Sequence, residues 1–297
     1  MKTILLAFAG FALTAVAGNS PTPPEITLDA ALRMTPARAL IFRPERFAAG
    51  EKLRVTYLRR GLPTTKPGEV RSVMLVIYAA HPTIYPHTMM QVSAEFPGVL
   101  QSRLEAALGE GVVALYMNGA QGDVSPVADE GKDDHERVRL YGEKLATHAL
   151  RLLRNTKPLA PKLRTAQIRV SLPEARPHPQ FYESAGREYK VPEALLNDLV
   201  KQLIPPTTPV SLMGLDSLAL VGFPGEPITA LGLEARQMGQ QHGFRHVAPV
   251  ALVNDWIGYI LTREEYEKGG YEATVSFNGP DAGAAVMKAV REGFARL

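Results

Sequence analysis

One short turn at 116–126 concentrates residues that could do chemistry; it reads Tyr-Met-Asn-Gly-Ala-Gln-Gly-Asp-Val-Ser-Pro. Its first two residues end an apolar run at 112–117 that predicts a short buried strand. The glycines permit close backbone approaches that a larger residue would not tolerate, so Ser125 is placed where a ligand could reach it. Taken alone, the same residues also fit a strand-to-helix turn in which Asp123 or Ser125 caps a helix that Pro126 opens.

Three further apolar runs also lead into side chains that can bind a metal or transfer a proton. They are the runs at 73–80, 218–221 and 247–253, which are followed by His81, Glu226 and Tyr259 respectively. Because the ends of neighbouring strands in an open α/β sheet converge on one crevice, we expect these three side chains and Ser125 to share a site. A glutamate at the start of a helix also has a purely structural explanation, because its negative charge interacts favourably with the positive end of the helix dipole.

The segments between these residues predict an α/β fold. An amphipathic helix at 97–108 lies between the apolar runs at 73–80 and 112–117, which together describe a βαβ unit. Further helices are predicted at 134–153, 192–204, 228–241 and 282–294, further strands at 39–42, 53–59 and 167–172, and a hairpin at 210–213 and 217–221. We therefore expect a mixed, largely parallel sheet flanked by helices.

Composition excludes several classes of partner and site. The chain has 33 Lys and Arg against 30 Asp and Glu, spread without the basic clusters that a nucleic-acid partner requires. This slight basic excess supports at most a weak peripheral contact with an anionic membrane surface. The chain has no cysteine, which excludes disulfides and thiolate metal sites and leaves His, Asp, Glu and Tyr as metal ligands.

Residues 1–19 have the pattern of a secretory signal peptide. A positive charge at Lys2 precedes an apolar stretch at 4–17 that ends in small residues. This stretch is too short for a comfortable membrane span. The alternative is a hydrophobic N-terminal segment that forms a buried helix of a larger domain. We expect a secreted or periplasmic protein.

The four strand-end segments together resemble the neutral ceramidase family, the zinc-dependent amidases that cleave the N-acyl bond of ceramide. The resemblance rests on four sequence motifs in the family's order: His-Pro-Thr from 81, Gly-Asp-Val-Ser-Pro from 122, Pro-Gly-Glu from 224, and the segment 254–272. It implies a ceramidase-like catalytic domain at 26–297 and an N-acyl lipid such as ceramide as the substrate.

The resemblance also assigns roles to individual residues. It places His81, Glu226 and Tyr259 on the family's zinc ligands, Ser125 at the position that contacts or attacks the amide, and Tyr271 near the metal, where its hydroxyl could hydrogen-bond the oxyanion. Zinc with one position open to water lowers the pKa of that water to about 7. Two mechanisms stay open: attack by zinc-bound water while Ser125 positions the substrate, or attack by Ser125 itself.

The sequence departs from the family pattern at several positions. It has no counterpart of the upstream His-Thr-His-Ser-Gly-Pro segment that supplies a further zinc ligand. We therefore expect a domain that is N-terminally incomplete, or one that keeps three zinc ligands. His87 is a conceivable substitute, although its context predicts a surface residue. Trp256 stands where a smaller side chain or a tyrosine is usual and is expected to reshape the pocket, and Glu95 stands where aspartate is common.

Three interpretations follow from these observations. The first is a zinc-dependent amidase acting on an N-acyl lipid. The second is a degenerate homologue that binds metal or lipid without turnover, which the missing histidine segment favours. The third is a metal-independent serine hydrolase, although Ser125 lacks the Gly-x-Ser-x-Gly motif that would support one. Stoichiometric zinc separates the first from the third, and amidase turnover separates the first from the second.

Overall fold

The fold was analysed in a computed structural model of the chain. The structure describes residues 39–41, 56–58, 68–69, 72–89, 91–110, 112–154, 159–160, 162–186, 190 and 192–297. The predicted signal peptide at 1–19 therefore lies outside the described residues. Among the helices of the described ranges, none combines the length and the apolar character needed to cross a bilayer.

Three short strands near the N-terminus form an antiparallel sheet. They are β1 (Ala39–Ile41), β2 (Thr56–Leu58) and β3 (Gly68–Glu69), in the order β1-β2-β3. Strands were expected at 39–42 and 53–59, and the structure places β1 and β2 within these two ranges.

The predicted βαβ unit is present. Strand β4 (Ser72–Tyr78) and strand β5 (Val112–Asn118) pair in parallel, and helix α1 (Glu95–Leu108) connects them. Helix α2 (Asp134–Leu153) packs against α1 and begins with Asp133 as its cap, whose carboxylate accepts a hydrogen bond from Glu136 N at 2.8 Å. Burying the apolar side of α1 between β5 and α2 stabilises this half of the fold.

A larger mixed sheet forms the second half of the fold. Its strands are β6 (Leu163–Ser171), β7 (Thr207–Leu215), β8 (Leu218–Gly222) and β10 (His246–Val250), in the order β10-β8-β7-β6. Strands β8 and β10 run parallel, whereas β6, β7 and β8 pair antiparallel. The β7–β8 pair is the predicted hairpin.

Helices cover this sheet and complete the main core. They are α4 (Thr229–Gln241), which connects β8 to β10, and α7 (Ala282–Arg296), which packs on β6, β7 and α4. Helix α3 (Glu193–Leu203) belongs instead to a second core cluster, to which it contributes the buried residues Leu196 and Val200. Val221, Phe223 and Val290, all 0% exposed, lie in the core between sheet and helices. Burial of such side chains, each contributing about 1.5–3 kcal/mol, fixes the sheet whose strand ends carry the site.

Two very short strands and two short helices were not among the predicted elements. Strands β9 (Glu226–Pro227) and β11 (Tyr259–Ile260) form a parallel pair that sets Glu226 opposite Tyr259. Helices α5 (Arg263–Lys268) and α6 (Tyr271–Thr274) follow. This pairing brings two predicted site residues together although 32 residues separate them, from 226 to 259, in the chain.

The expected α/β class is confirmed, with helices on mixed sheets. The expectation of a largely parallel arrangement describes it only loosely: among the described strands, β4–β5, β8–β10 and β9–β11 are parallel, whereas β1–β2, β2–β3, β6–β7 and β7–β8 are antiparallel. Strand β6 also begins at Leu163 and not at 167, because its antiparallel register with β7 extends to Leu215.

Candidate active site

The predicted site residues lie where the carboxyl ends of β4, β5 and β8 meet. Backbone hydrogen bonds join the loops that follow these strands: His81 N donates to Val124 O at 3.0 Å, and Gly122 N donates to Pro227 O at 2.9 Å. Strand β10 runs beside β8, so its following loop reaches the same edge. The expected convergence of strand ends is therefore a property of the fold.

Three of the predicted side chains meet at one point of this edge. His81 Nε2 lies 2.7 Å from Glu226 Oε2 and 3.2 Å from Tyr259 Oη. Gly258 allows Tyr259 to reach this position, because it adopts a φ of 85° and a Cβ there would overlap the carbonyl oxygen of Val275. The structure thus brings together the residues expected to bind zinc; that they bind it stays a prediction.

The protonation of His81 follows from its partners. Its Nδ1 lies 3.0 Å from the carbonyl oxygen of Val124, which can only accept, so Nδ1 carries a proton. In the neutral imidazole, Nε2 then presents a lone pair to Glu226 Oε2, which also accepts. A contact of 2.7 Å between these two atoms therefore requires a proton between them or a bound cation.

The pKa of His81 agrees with that geometry. Burial by itself lowers this pKa, but the hydrogen bonds to Glu226 and Val124 and the charges of Glu226 and Glu272 outweigh it and raise the pKa above its ordinary value. Without a metal ion, the imidazolium form therefore persists to higher pH than in an ordinary histidine. A metal ion would take the place of the Nε2 proton.

The donor set suits a zinc ion. Imidazole nitrogen, carboxylate oxygen and phenolate oxygen are all possible zinc ligands, and donor atoms around tetrahedral zinc lie about 3.3 Å apart. Tyr259 Oη and His81 Nε2 are already 3.2 Å apart. His81 Nε2 and Glu226 Oε2, at 2.7 Å, would have to separate by about 0.6 Å.

The site is nevertheless poor in the commonest ligands. Within the described ranges, no group of three or more His, Asp or Glu side chains could hold a metal ion. The phenol of Tyr259 would have to supply the third donor. His87 is exposed, as its context predicted.

Glu226 has two further partners that the sequence did not predict. Trp256 Nε1 donates to Glu226 Oε1 at 2.9 Å, and Gln121 Nε2 lies 3.5 Å from Glu226 Oε2. Gln121 is 2% exposed, and its Oε1 has no hydrogen-bond partner among the described residues. A buried glutamine in an otherwise polar, glycine-containing turn is the signal that could have identified it, because a buried amide requires partners.

Ser125 lies on the exposed side of the same turn. It directly follows Val124, whose carbonyl holds His81, and is itself exposed. Asp123 fixes the turn from the other side, because its Oδ1 accepts from both the N–H and the hydroxyl of Thr229 at 2.7 Å. Asp123 therefore caps α4 from another segment of the chain, while Ser125 stays accessible.

Tyr271, the predicted oxyanion donor, belongs to an aromatic rim beside Tyr259. The two rings are 6.1 Å apart and nearly perpendicular, with an interplanar angle of 77°. Tyr271, Tyr259 and Trp256 are partly buried against a second core cluster that includes Phe181 and Phe277. This cluster draws on α3 and on the loop before it.

The loop that follows His81 is held by Glu95. This carboxylate is buried, and it accepts hydrogen bonds from the N–H groups of Ile84, Tyr85 at 3.1 Å and Phe96 at 2.7 Å. Glu95 adopts a φ of 51°, a strained value for a residue with a side chain. Its role in the structure is to anchor the His81 loop to the start of α1.

Comparison with known proteins supports the resemblance seen in the sequence. No protein-family model matches the chain. Over 148 residues, or 49% of this chain, it is 30% identical to the neutral ceramidase of Mycobacterium tuberculosis (strain ATCC 25618 / H37Rv), of which the match covers 22%.

Two solved structures share the fold. The crystal structure of neutral ceramidase from Pseudomonas aeruginosa superposes with a TM-score of 0.64 at 18% identity and covers 81% of this chain and 45% of that one. A ceramidase complexed with C2 gives a TM-score of 0.64 at 16% identity, with 81% and 46% covered. The chain is thus ceramidase-like in fold and in part of its sequence, and it spans less than half the length of these relatives.

Proposed function

We propose that the chain is a zinc-dependent amidase that hydrolyses the N-acyl amide bond of ceramide or a related N-acyl lipid. The observation that carries the proposal is the convergence of Glu226 Oε2 and Tyr259 Oη on His81 Nε2, at 2.7 and 3.2 Å. Similarity to proteins named as neutral ceramidases supports the substrate class.

His81, Glu226 and Tyr259 would hold the zinc ion. When bound, zinc would polarise the amide carbonyl and lower the pKa of a bound water to about 7. The Val124 carbonyl keeps a proton on His81 Nδ1, so Nε2 is the nitrogen left to bind. In many zinc sites an acceptor binds the other ring N–H of a ligand histidine. The Val124 carbonyl would do the same here and fix the tautomer and the ring orientation of His81.

Ser125 and Tyr271 would act on the amide itself. Ser125, exposed on the turn after Val124, either orients the amide or attacks its carbonyl carbon with its hydroxyl. In the second case Ser125 must lose its proton to a base as the carbon–oxygen bond forms. The Tyr271 hydroxyl would donate to the negative oxygen that develops in either path.

The geometry disfavours a metal-independent serine hydrolase. In a serine–histidine–acid triad, one ring nitrogen faces the serine and the other faces the acid. In this chain His81 directs Nδ1 to the carbonyl of Val124 and Nε2 to Glu226. Both nitrogens are thereby engaged without Ser125, so the arrangement supports a metal ligand over a general base for Ser125.

A homologue that binds metal or lipid without turnover is the second candidate. The observation that favours it is the lack, within the described ranges, of three His, Asp or Glu side chains around one point. A site with a phenol as its third donor is expected to bind zinc more weakly than one with an additional histidine.

Zinc content of the purified protein tests the proposal. We expect about one zinc per chain in the wild type, measured by mass spectrometry, and its loss in His81→Ala and Glu226→Ala. His87→Ala is the matched control, because His87 is exposed and should leave the zinc content unchanged. A wild type that holds no zinc, or a His87→Ala variant that loses it as His81→Ala does, contradicts the assignment.

Turnover separates the two candidates. Hydrolysis of N-acylsphingosine by the zinc-loaded protein, followed as released fatty acid, supports the amidase. Zinc binding without release of fatty acid from any N-acyl lipid tested supports the non-catalytic homologue. Loss of activity in Ser125→Ala at unchanged zinc content would assign Ser125 to the reaction and not to the metal.

We also propose that the protein acts outside the cytoplasm, in the secreted or periplasmic space, on lipid presented at a membrane surface. The signal-like pattern of residues 1–19 and the slight excess of 33 basic over 30 acidic residues support this. Retention of the mature protein on vesicles that contain ceramide and anionic lipid, and its release by salt, would test the surface contact.

A further inference from the structure

Trp256 holds one of the two oxygens of the Glu226 carboxylate. Its indole Nε1 donates to Glu226 Oε1 at 2.9 Å, while Oε2 lies 2.7 Å from His81 Nε2. The two oxygens therefore have different partners: Oε1 accepts from Trp256, and Oε2 lies beside His81.

Trp256 is held both through its main chain and through its ring. Trp256 N donates to Asp255 Oδ1 at 2.9 Å, and Asp255 Oδ2 accepts from the buried hydroxyl of Thr208 on β7 at 2.8 Å. The indole ring lies edge-on to buried Phe277, with 6.4 Å between the ring centres. Trp256 is therefore anchored both to the main sheet and to the second core cluster.

We propose that Trp256 is a positioning residue that holds Glu226 Oε1 and so presents Oε2 alone to the metal position beside His81. This inference rests on the proposed function in one respect, the identity of the ion as zinc. The hydrogen bond and the orientation of the carboxylate do not depend on it.

The chemistry of indole suits this task. Indole N–H is a donor without acceptor capacity, so it can bind Glu226 in one way only. It is also neutral and leaves the negative charge of the carboxylate for the metal, whereas Lys or Arg at this place would offset it. A tyrosine at this position would offer a hydroxyl that donates and accepts and would therefore impose less orientation.

The first test measures zinc affinity after removal of the donor. Trp256→Phe keeps an aromatic ring against Phe277 but cannot donate to Glu226, and loss of such an outer partner typically lowers metal affinity about 10–100-fold. Tyr182→Phe is the matched control. It removes a hydroxyl from the same cluster, and the described residues include no hydrogen-bond partner for that hydroxyl. Affinity is obtained by competition with a chromogenic chelator.

We expect zinc affinity to fall about 10–100-fold in Trp256→Phe. In Tyr182→Phe it should stay within about twofold of the wild-type value, because no partner of the metal ligands is lost. A folded Trp256→Phe variant with wild-type affinity overturns the proposal. Equal losses in both variants also overturn it, because general loosening of the cluster would then explain the effect.

The second test needs no change at Trp256. Since Trp256 is the only tryptophan of the chain, protein labelled with ¹⁵N-tryptophan gives one indole N–H cross-peak in a two-dimensional NMR spectrum. We expect that peak to move when zinc is added and to move towards the position of a solvent-exposed indole in Glu226→Ala. A peak that is unchanged in Glu226→Ala overturns the proposal even if Trp256→Phe does not fold.

The two tests separate this inference from the proposed function. If the wild type binds no zinc, the proposed function fails, while the cross-peak in Glu226→Ala still decides whether Trp256 holds the carboxylate. If the wild type binds zinc and its indole cross-peak does not respond, the positioning role fails and the zinc site stands.

Discussion

Gly122→Ala should damage the site without changing any side chain that is proposed to bind or react. Gly122 is buried where the turn after β5 crosses the start of β9. A Cβ at this position would lie 2.7 Å from the carbonyl oxygen of Glu226, 2.9 Å from the carbonyl carbon of Pro227 and 3.0 Å from the nitrogen of Ile228. All three are main-chain atoms, so no side chain can rotate to make room.

The size of the effect follows from these distances. Non-bonded carbon atoms rest about 3.5–4.0 Å apart, so β9 and the turn must separate by roughly 0.5–1 Å. Overpacking of this kind costs about 1–3 kcal/mol of folding stability. The same shift moves the main chain of Glu226 relative to the turn that holds His81, so the two side chains and Tyr259 lose a mutual arrangement that a metal site tolerates to within about 0.2 Å. We therefore expect zinc affinity to fall by at least about tenfold, in the range seen when outer partners are lost.

Gly239→Ala is the control for the loss of folding stability that overpacking causes. A Cβ there would lie 2.6 Å from Val247 Cγ2 and 2.7 Å from Phe294 Cζ, a clash of the same size in the main core and not at the site. Urea unfolding of the metal-free proteins should show a loss of stability in both variants. Chelator competition should show weaker zinc binding in Gly122→Ala alone. Wild-type zinc affinity in a destabilised Gly122→Ala would refute the reasoning, because the turn would then have moved without Glu226.

Three further perturbations have defined outcomes. Asp123→Ala removes the carboxylate that caps α4 and should cost about 1–2 kcal/mol in urea unfolding; no loss would show that water replaces the cap. Glu95→Ala leaves three main-chain N–H groups without their acceptor and should cost at least about 3 kcal/mol, with faster amide exchange at Ile84 and Tyr85. The raised pKa of His81 predicts that, in metal-free protein, its contribution to stability is fully present below pH about 6.5 and is lost as the pH rises through the raised value. His178, whose pKa is lowered by burial, acts in the opposite sense, so the profile of His81→Ala must be subtracted from that of the wild type; identical profiles would contradict the prediction.

The strand ends could be predicted from the sequence because long apolar runs are strong local signals. The runs before His81 and Ser125 became β4 and β5, and the helix between them became α1, within one to two residues at most ends. Once the strands are parallel neighbours, the fold itself brings their following residues to one edge. The resemblance to ceramidases then indicated which of those residues to compare.

Other parts of the site left no local signal. Strands β9 and β11 have two residues each, too few for any periodicity, yet their pairing sets Glu226 opposite Tyr259. The bond between Trp256 and Glu226 joins residues 30 positions apart through a loop and could not follow from spacing. The second core cluster gathers scattered residues around Phe181 and Phe277, and tertiary packing alone reveals that it supports the aromatic rim.

The carbonyl oxygen of Val124 accepts two hydrogen bonds from one residue, the main-chain N–H and the ring Nδ1 of His81, each at 3.0 Å. The imidazole and the turn that bears Ser125 are therefore coupled mechanically through a single atom. The number of residues between β5 and Ser125 is constrained for that reason, because an insertion or deletion there would carry the oxygen away from the ring. The geometry of this site therefore depends on the length of the loop as well as on the identity of its residues.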